Sequence, residues 1–391
     1  MFFERNQFIE TTLNIPLLKI AVNTRLVIKN KMDGIGLFTW QTFSLLAQQH
    51  PEIDFYFIFD RKPDEEFIAA KNVHPIIIRP ITKHIYVFPY WYQIALKRVL
   101  KKLNPAIFIA TDGMFPLNSS IKTLAIIHDL NFEHHPEMLP KNVLNYYKKY
   151  FPKFAQQANQ IATVSDFSKN DIVKTYKIEI SKINVVFNGA SENFKPISEA
   201  NKQAVKDKFA EGIDYFLFVG TIHPRKNVPM LLKAFNQYKS ESGSSLKLLI
   251  AGKKMWSNSE TTQLLNELKH KKDIIFTGRV DDEELAELTA SAKAITYIPI
   301  FEGFGIPLVE GMQCGVPVIT SNITSMPEVV GDAGILVNPF NQNEIAQAMQ
   351  KITTDKNFHE ALSSKSILQA KKFSWEKTAQ LVMESIKKTI G

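Results

Sequence analysis

Short runs of apolar and β-branched residues alternate along the chain with longer stretches whose apolar positions recur every three or four residues. The first set of runs is LLKIAVN, DFYFIFD, HPIIIRP, AIFIATD, TLAIIHD, NQIATVS and INVVFNG, ending near Asn188. Strands that are hydrophobic throughout and separated by helical patterns predict a parallel sheet covered on both faces. A polar connector, NGASENFKPISEANKQ, follows, and the alternation restarts with YFLFVGT, LKLLIAG, DIIFTG, AITYIP, PVIT and GILV. Between these runs, NVPMLLKAFNQYKS and DEELAELTASAKA carry the spacing near 3.6 expected of crossover helices. The pattern predicts an α/β protein of two tandem Rossmann-like domains, over residues 1–188 and 201–372, with a linker at 189–200. Open α/β sheets bind ligands beyond the carboxyl ends of their strands, so two such domains would face a central cleft. The last segment, 373–391, reads as one amphipathic helix whose pattern does not name the domain it packs on.

Length agrees with that division, because 391 residues exceed one comfortable core. The start, MFFERNQFIETTLNIP, places Glu4 and Arg5 where a signal peptide needs an apolar core, and no run of about 18 apolar residues follows. Cys314 is the only cysteine, which excludes an internal disulfide or a thiolate zinc cluster. These features predict a soluble, cytoplasmic protein. The formal charge of +8 suits nucleic acid, an anionic membrane surface or a phosphorylated substrate, and does not choose among them.

The chemistry concentrates in EGFGIPLVEGMQ, where Glu302 and Glu310 flank a glycine-rich turn. Gly303, Gly305 and Pro307 make one continuous helix a poor fit, so the stretch predicts a strand, a tight loop and a helix opening at about Pro307. Glu302 then ends the strand, and Glu310 lies in the helix's first turn. The amides of Phe304, Gly305 and Ile306, with the helix dipole, form an anion site suited to phosphate. Two carboxylates beside a phosphate cradle need hydroxyls to accept from, and a nucleotide sugar supplies both. A carboxylate that merely complements the helix dipole is the alternative for Glu310. Arg225 and Lys226, after the first strand of the second domain, are a second phosphate candidate, or else ordinary surface charge.

In the first domain, NKMDGIGLFT offers Gly34 and Gly36 for close backbone approach to a ligand, but Thr39 stands where a dinucleotide fingerprint has its third glycine. IIHDLNFEHH gathers His128, Asp129, Glu133, His134 and His135, yet neighbours on an extended segment point apart and no His-x-x-x-His pair occurs. His128, at a strand end, is expected to face the cleft, a structural histidine being the alternative.

VGTIHPRKN, GRVDDEELAEL, EGFGIPLVE and GVPVITSNITSMPEVVGDAGILVNP, in that order, resemble the second domain of retaining family 4 glycosyltransferases of the GT-B fold. DGIG, AIIHDLNFEHHPE, TVSDFSKNDIV and INVVFNGAS extend the resemblance through the first domain, and the mannosyltransferase-like branch is the most similar. The resemblance implies a GDP- or UDP-linked sugar as donor, a glycan or lipid-linked acceptor on the first-domain side, retention of configuration and no divalent metal. By motif it implies that Glu310 accepts from the ribose, Glu302 contacts the donor sugar, Arg225 and Lys226 steady the departing diphosphate, and the Arg279-Val280 backbone touches the base. His128 would lie near the donor sugar, and Phe304, Gly305, Ile306, Pro307 and Leu308 would carry the donor loop into its helix. Many relatives have an arginine where this chain has Thr221, a charge that Arg225 is expected to supply.

Two other classes compete. Glu302 and Glu310 could serve a hydrolase as acid and nucleophile. YWYQIALKRVLKK and YYKKYFPKF could instead mark a non-enzymatic protein that binds membrane or nucleic acid. In a glycosyltransferase the same segments predict peripheral contact with the inner face of a membrane, and no nucleic-acid partner.

Overall fold

The computed structural model describes residues 18–32, 34–252 and 259–391. Glu4 and Arg5, Leu17 of the first predicted strand and Asp33 of DGIG lie outside the described residues. Every apolar run becomes a strand: β1 Leu18–Asn23, β2 Ile53–Phe59, β3 Val73–Ile77, β4 Ile107–Ala110, β5 Thr123–Ile126, β6 Gln160–Thr163 and β7 Ile183–Val185 build one parallel sheet. Its spatial order is β3-β2-β1-β4-β5-β6-β7. The second parallel sheet holds β8 Tyr215–Val219, β9 Lys247–Ala251, β10 Ile274–Gly278, β11 Ala294–Tyr297, β12 Val318–Ser321 and β13 Gly334–Val337, in the order β10-β9-β8-β11-β12-β13.

Strands β4, β5, β8, β9, β11 and β12 are wholly buried, as is β1 from Ile20 on, which is why their sequences lack alternation. In each sheet the chain winds outward in both directions from a central pair, β1 with β4 and β8 with β11. The crevice beyond such a pair is where open α/β sheets place ligands.

The C-terminal helix, Trp375–Ile390, follows the second domain in sequence but docks on the first. Its Trp375, Ala379, Val382, Met383 and Ile386 join the core formed by β1, β2 and the helix Gly34–Gln49. The polypeptide thus crosses between domains twice, and the crossings are bonded: Thr378 Oγ1 donates to the Phe187 carbonyl at 3.0 Å.

The first sheet's central pair carries a buried ion pair just past its strands. Arg25 Nε lies 2.7 Å from Asp112 Oδ2 and 2.7 Å from the Tyr92 hydroxyl, and the guanidinium sits 4.9 Å from the Phe88 ring centroid. Asp112 also accepts from Met114 N at 3.1 Å, so one carboxylate ties the β1 loop to the β4 loop. Removing one partner of a buried pair strands the other charge, which costs about 3–5 kcal/mol. Asp112→Ala should therefore lower unfolding free energy by about that much in urea titration, with Asp112→Asn losing less because it keeps an acceptor.

Candidate functional site

Arg225 and Lys226 follow β8 in a 3₁₀ turn, Pro224–Lys226, while Glu302 follows β11. Because β8 and β11 are neighbours, residues 77 and 76 positions apart in sequence meet. Arg225 Nη1 donates to Glu302 Oε2 at 2.6 Å, the Lys226 ammonium donates to the same oxygen, and the Tyr297 hydroxyl donates to it at 2.7 Å. Lys226 also reaches the Tyr297 hydroxyl and lies over that ring, 4.8 Å from its centroid.

Burial alone would raise the Glu302 pKa, but the two cations and the donated hydrogen bonds outweigh it and hold the carboxyl at about 2. Lys226 goes the other way for a lysine beside a carboxylate: burial and then repulsion from Arg225 lower it to about 8. Two cations share one carboxylate, so the cluster keeps a surplus positive charge, tempered by Asp129 at longer range.

The loop after β11 begins beside this cluster. Gly305 takes a left-handed conformation (φ 91°) as the cap of the helix Ile306–Gln313, a conformation that favours glycine. The amides of Phe304, Gly305 and Ile306 precede the helix's first internal donor, so they and the dipole face whatever lies beyond β11. With the helix opening at Ile306 rather than Pro307, Glu310 is its fifth residue and stands in the second turn. The expectation of a first-turn Glu310 is corrected accordingly, and the dipole account of it weakens, since that effect fades beyond the first turn.

Glu310 is 8% exposed, and burial, then the charge of Asp282, raise it to about 8. Asp282 opens the helix Asp282–Ser291, and in the loop between β10 and that helix Arg279 is exposed and Val280 half-buried. Leu308 and Phe304 are buried and anchor the loop. Thr221 is half-buried two residues past β8, and the arginine nearest Glu302 is Arg225.

The first domain closes the other side. His128 is half-buried, its Nε2 donating to the Thr111 carbonyl at 3.0 Å and its ring edge-on to Phe38. A Cβ on Gly303 would sit 2.4 Å from the His128 carbonyl oxygen, so the loops of the two domains touch at this point. Gly34 has open space where a side chain would project, whereas a Cβ on Gly36 would meet the Leu26 carbonyl oxygen at 2.5 Å. The chain's own packing thus accounts for Gly36 being glycine. The other polar residues near His128 have separate partners: Asp129 accepts from Asn131 N, Glu133 from Tyr176, and His134 pairs with Asp171. Among the described residues, no group of three or more His, Cys, Asp or Glu is placed to hold a metal ion.

Sequence reasoning missed Tyr297, whose hydroxyl completes the carboxylate's shell; its signal is a lone phenol at the end of an otherwise apolar strand run.

Two family models match the chain: "Glycosyltransferase Family 4" over residues 32–194 and "Glycosyl transferases group 1" over 199–387. O-antigen chain mannosyltransferase B of Escherichia coli is 34% identical over 65% of this chain and 67% of its own. O-antigen chain mannosyltransferase RfbU of Salmonella typhimurium is 29% identical over 68% and 70%. The serotype-specific mannosyltransferase WbdA of Escherichia coli is 30% identical over 67% of this chain, which spans 33% of that longer protein. Among solved structures, Anabaena HepE in complex with UDP and glucose superposes with a TM-score of 0.75 at 15% identity, over 95% of this chain and 99% of that one. WaaG, a glycosyltransferase involved in lipopolysaccharide biosynthesis, gives 0.72 at 16%, over 92% and 97%. These superpositions place the two sheets in the GT-B arrangement.

The ionisation of Glu302 has a consequence for stability. A carboxyl held at about 2 against an ordinary 4.5 contributes stability that is present above about pH 4.5 and lost as pH falls through about 2. Its size is about 3 kcal/mol. The unfolding free-energy gap between wild type and Glu302→Gln should therefore narrow by about that amount in urea titrations taken from about pH 6 to about pH 2.

Proposed function

Because the chain belongs to the glycosyltransferase family described by those two models, we propose that it moves a hexose, mannose first, from a nucleotide-diphosphate sugar to a glycan or lipid-linked acceptor in polysaccharide synthesis. The observation that carries this reading is the convergence of Arg225 and Lys226 on one carboxylate beside the helix N-terminus at Ile306. Departure of a nucleoside diphosphate builds negative charge on its oxygens. Fixed cations and amides aimed at that charge lower the barrier most when they are already in place. Glu302 keeps both cations oriented and is available to the sugar hydroxyls, while Glu310 is the acceptor for a ribose diol and the loop at Arg279 and Val280 receives the base. The names of the related O-antigen mannosyltransferases support the sugar and the pathway class, and the HepE complex supports a nucleotide in this cleft.

Retention of configuration is part of the proposal: the leaving phosphate takes the acceptor's proton on the same face, and no protein nucleophile is needed. No divalent metal is proposed to act, since the surplus cation of the cluster meets the diphosphate. Anomeric proton NMR of the first-formed product, in the presence of chelator, tests both points. An inverted product or complete loss of turnover in chelator would overturn them.

Nucleotide binding should be pH-dependent. A diol donating to Glu310 prefers the ionised carboxyl, and a diphosphate prefers the charged ammonium of Lys226, so affinity should peak near pH 8, where both groups titrate. Titration of UDP, GDP and ADP by melting-temperature shift should show a rise for one nucleotide, about 2.7 kcal/mol at a hundredfold excess over Kd. Glu310→Ala should lose that rise and Glu310→Gln the acid limb of the pH profile. No rise for any nucleotide would remove the donor-site reading.

An acceptor carried on lipid would need the first domain at a membrane, and we propose such contact at the inner face. No described helix is long and apolar enough to cross a bilayer. Ile77, Ile81, Tyr86, Tyr90 and Ile94 are exposed, and residues 67–111 contain no Asp or Glu but include Arg79, Lys83, Lys97 and Arg98. Phe88 joins this segment to the helix Lys141–Gln157 through Tyr146, ring centroids 5.6 Å apart, adding exposed Lys148 and Lys149. Each basic residue near an anionic leaflet contributes about 1 kcal/mol. Sedimentation with anionic vesicles should weaken with salt, with Lys148→Glu/Lys149→Glu and with Ile81→Ser/Tyr86→Ser, and be absent with neutral vesicles. Binding indifferent to all three would sink membrane contact.

A further inference from the structure

The turn after β12, in the MPEVV stretch, makes a contact that the proposed chemistry does not use. Glu328 belongs to the short helix Met326–Val330 of the second domain. Its carboxylate forks onto the start of a first-domain helix, Asp166–Tyr176: Oε1 accepts from Asp166 N at 2.8 Å and Oε2 from Phe167 N at 3.1 Å. That helix already has its own cap, Ser165 Oγ accepting from Ser168 N at 3.0 Å. Glu328 takes two of the remaining donors, and the helix dipole favours the negative charge there. Burial makes the contact costly, pushing the Glu328 pKa up against the pull of the two amides.

The same turn is tied to the reacting centre. Ser325 Oγ, three residues earlier, donates to the Glu302 carbonyl oxygen at 2.8 Å, and a Cβ on Gly305 would touch the Met326 methyl at 3.0 Å. The residue before Glu302 is gripped by the first domain as well. Phe301 stacks on His134 with centroids 5.2 Å apart and meets Phe167, whose amide Glu328 holds, at 5.8 Å. One turn therefore reads the position of the first domain on one side and supports the backbone of Glu302 on the other.

We propose that Glu328 is a positioning residue: by capping the Asp166–Tyr176 helix across the cleft it holds the two domains closed and, through Ser325, sets the Glu302 loop against the acceptor side. The cap itself is independent of what the site transfers; its effect on turnover rests on the glycosyltransferase reading. Two measurements separate these. Hydrogen exchange of the 164–170 amides, in the full chain without ligand, should quicken in Glu328→Ala and less in Glu328→Gln, which keeps one acceptor oxygen. Small-angle scattering should show a larger radius of gyration for Glu328→Ala. Unchanged exchange and radius in both variants would overturn the proposal, whatever the enzymology.

Where donor turnover is measurable with the nucleotide sugar identified by melting shift, Glu328→Ala should lower kcat about tenfold to a hundredfold, the scale of a small misplacement of reacting groups. The KM for donor should stay near wild type, because the donor loop and both cations lie in the second domain, and Glu328→Gln should recover part of kcat. A loss in donor KM with kcat intact would also overturn the positioning role. Should Glu328→Ala fail to fold, Glu328→Gln carries both measurements. Absence of nucleotide binding in wild type would refute the transferase reading and leave the exchange and scattering results to decide the cap.

Discussion

One carboxylate organises the reactive side of this molecule. Glu302 accepts from Arg225, Lys226 and Tyr297 on a single oxygen, and everything that places those groups follows from β8 lying beside β11. Buried charges are tolerated only when paired, and two half-buried cations on one buried anion are only partly paired. The burial that makes Lys226 easier to deprotonate is the same burial that strengthens its pull on an incoming anion. In the proposed transfer, cations already in place would need little reorganisation as a diphosphate left, which is the condition for electrostatic catalysis.

The strands were legible because both sheets are parallel and covered, so their sequences carry uninterrupted apolar runs. The turn between Glu302 and Glu310 was legible for a different reason: Gly303, Gly305 and Pro307 restrict what the backbone can do between two carboxylates. What sequence left open was pairing at long range. Neither the meeting of Arg225 with Glu302 nor that of Glu328 with Asp166 follows from local pattern; the first needs strand order, the second needs the placement of one domain on the other. The start of the helix after β11 was misplaced by one residue because glycine serves as its cap, and that single residue moves Glu310 from the first turn to the second. The C-terminal helix shows the same limit, its amphipathic stripe being as suitable for either domain.

Glu310 illustrates how a carboxylate's meaning depends on its surroundings more than on its spacing from Glu302. Eight residues separate them, yet one is held at about 2 by cations and the other raised to about 8 by burial and Asp282. A pair pushed apart in this way is the pattern expected where two carboxylates take different roles, which is how the proposed transfer uses them. For the hydrolase alternative both would have to face one glycosidic bond; their surroundings differ instead, with Arg225, Lys226 and Tyr297 on Glu302 and burial with the charge of Asp282 acting on Glu310.

The double crossing between domains bears on how the cleft can move. Phe187 on the outward crossing, Phe373 on the return and Phe304 of the loop after β11 form an aromatic cluster, with centroids 5.6 Å apart for Phe187 and Phe373, 5.4 Å for Phe304 and Phe373, and 6.5 Å for Phe187 and Phe304. Packed rings of this kind resist independent displacement. The two crossings and the loop after β11 are therefore packed together at Phe304, beside the amides of Gly305 and Ile306. The Glu328 edge is joined to the first domain without chain, by two hydrogen bonds to the Asp166–Tyr176 helix and by the ring contacts of Phe301 with His134 and Phe167. In the proposed transfer the amides meant for the diphosphate rest on the chain crossings, and the acceptor side rests on the Glu328 contact.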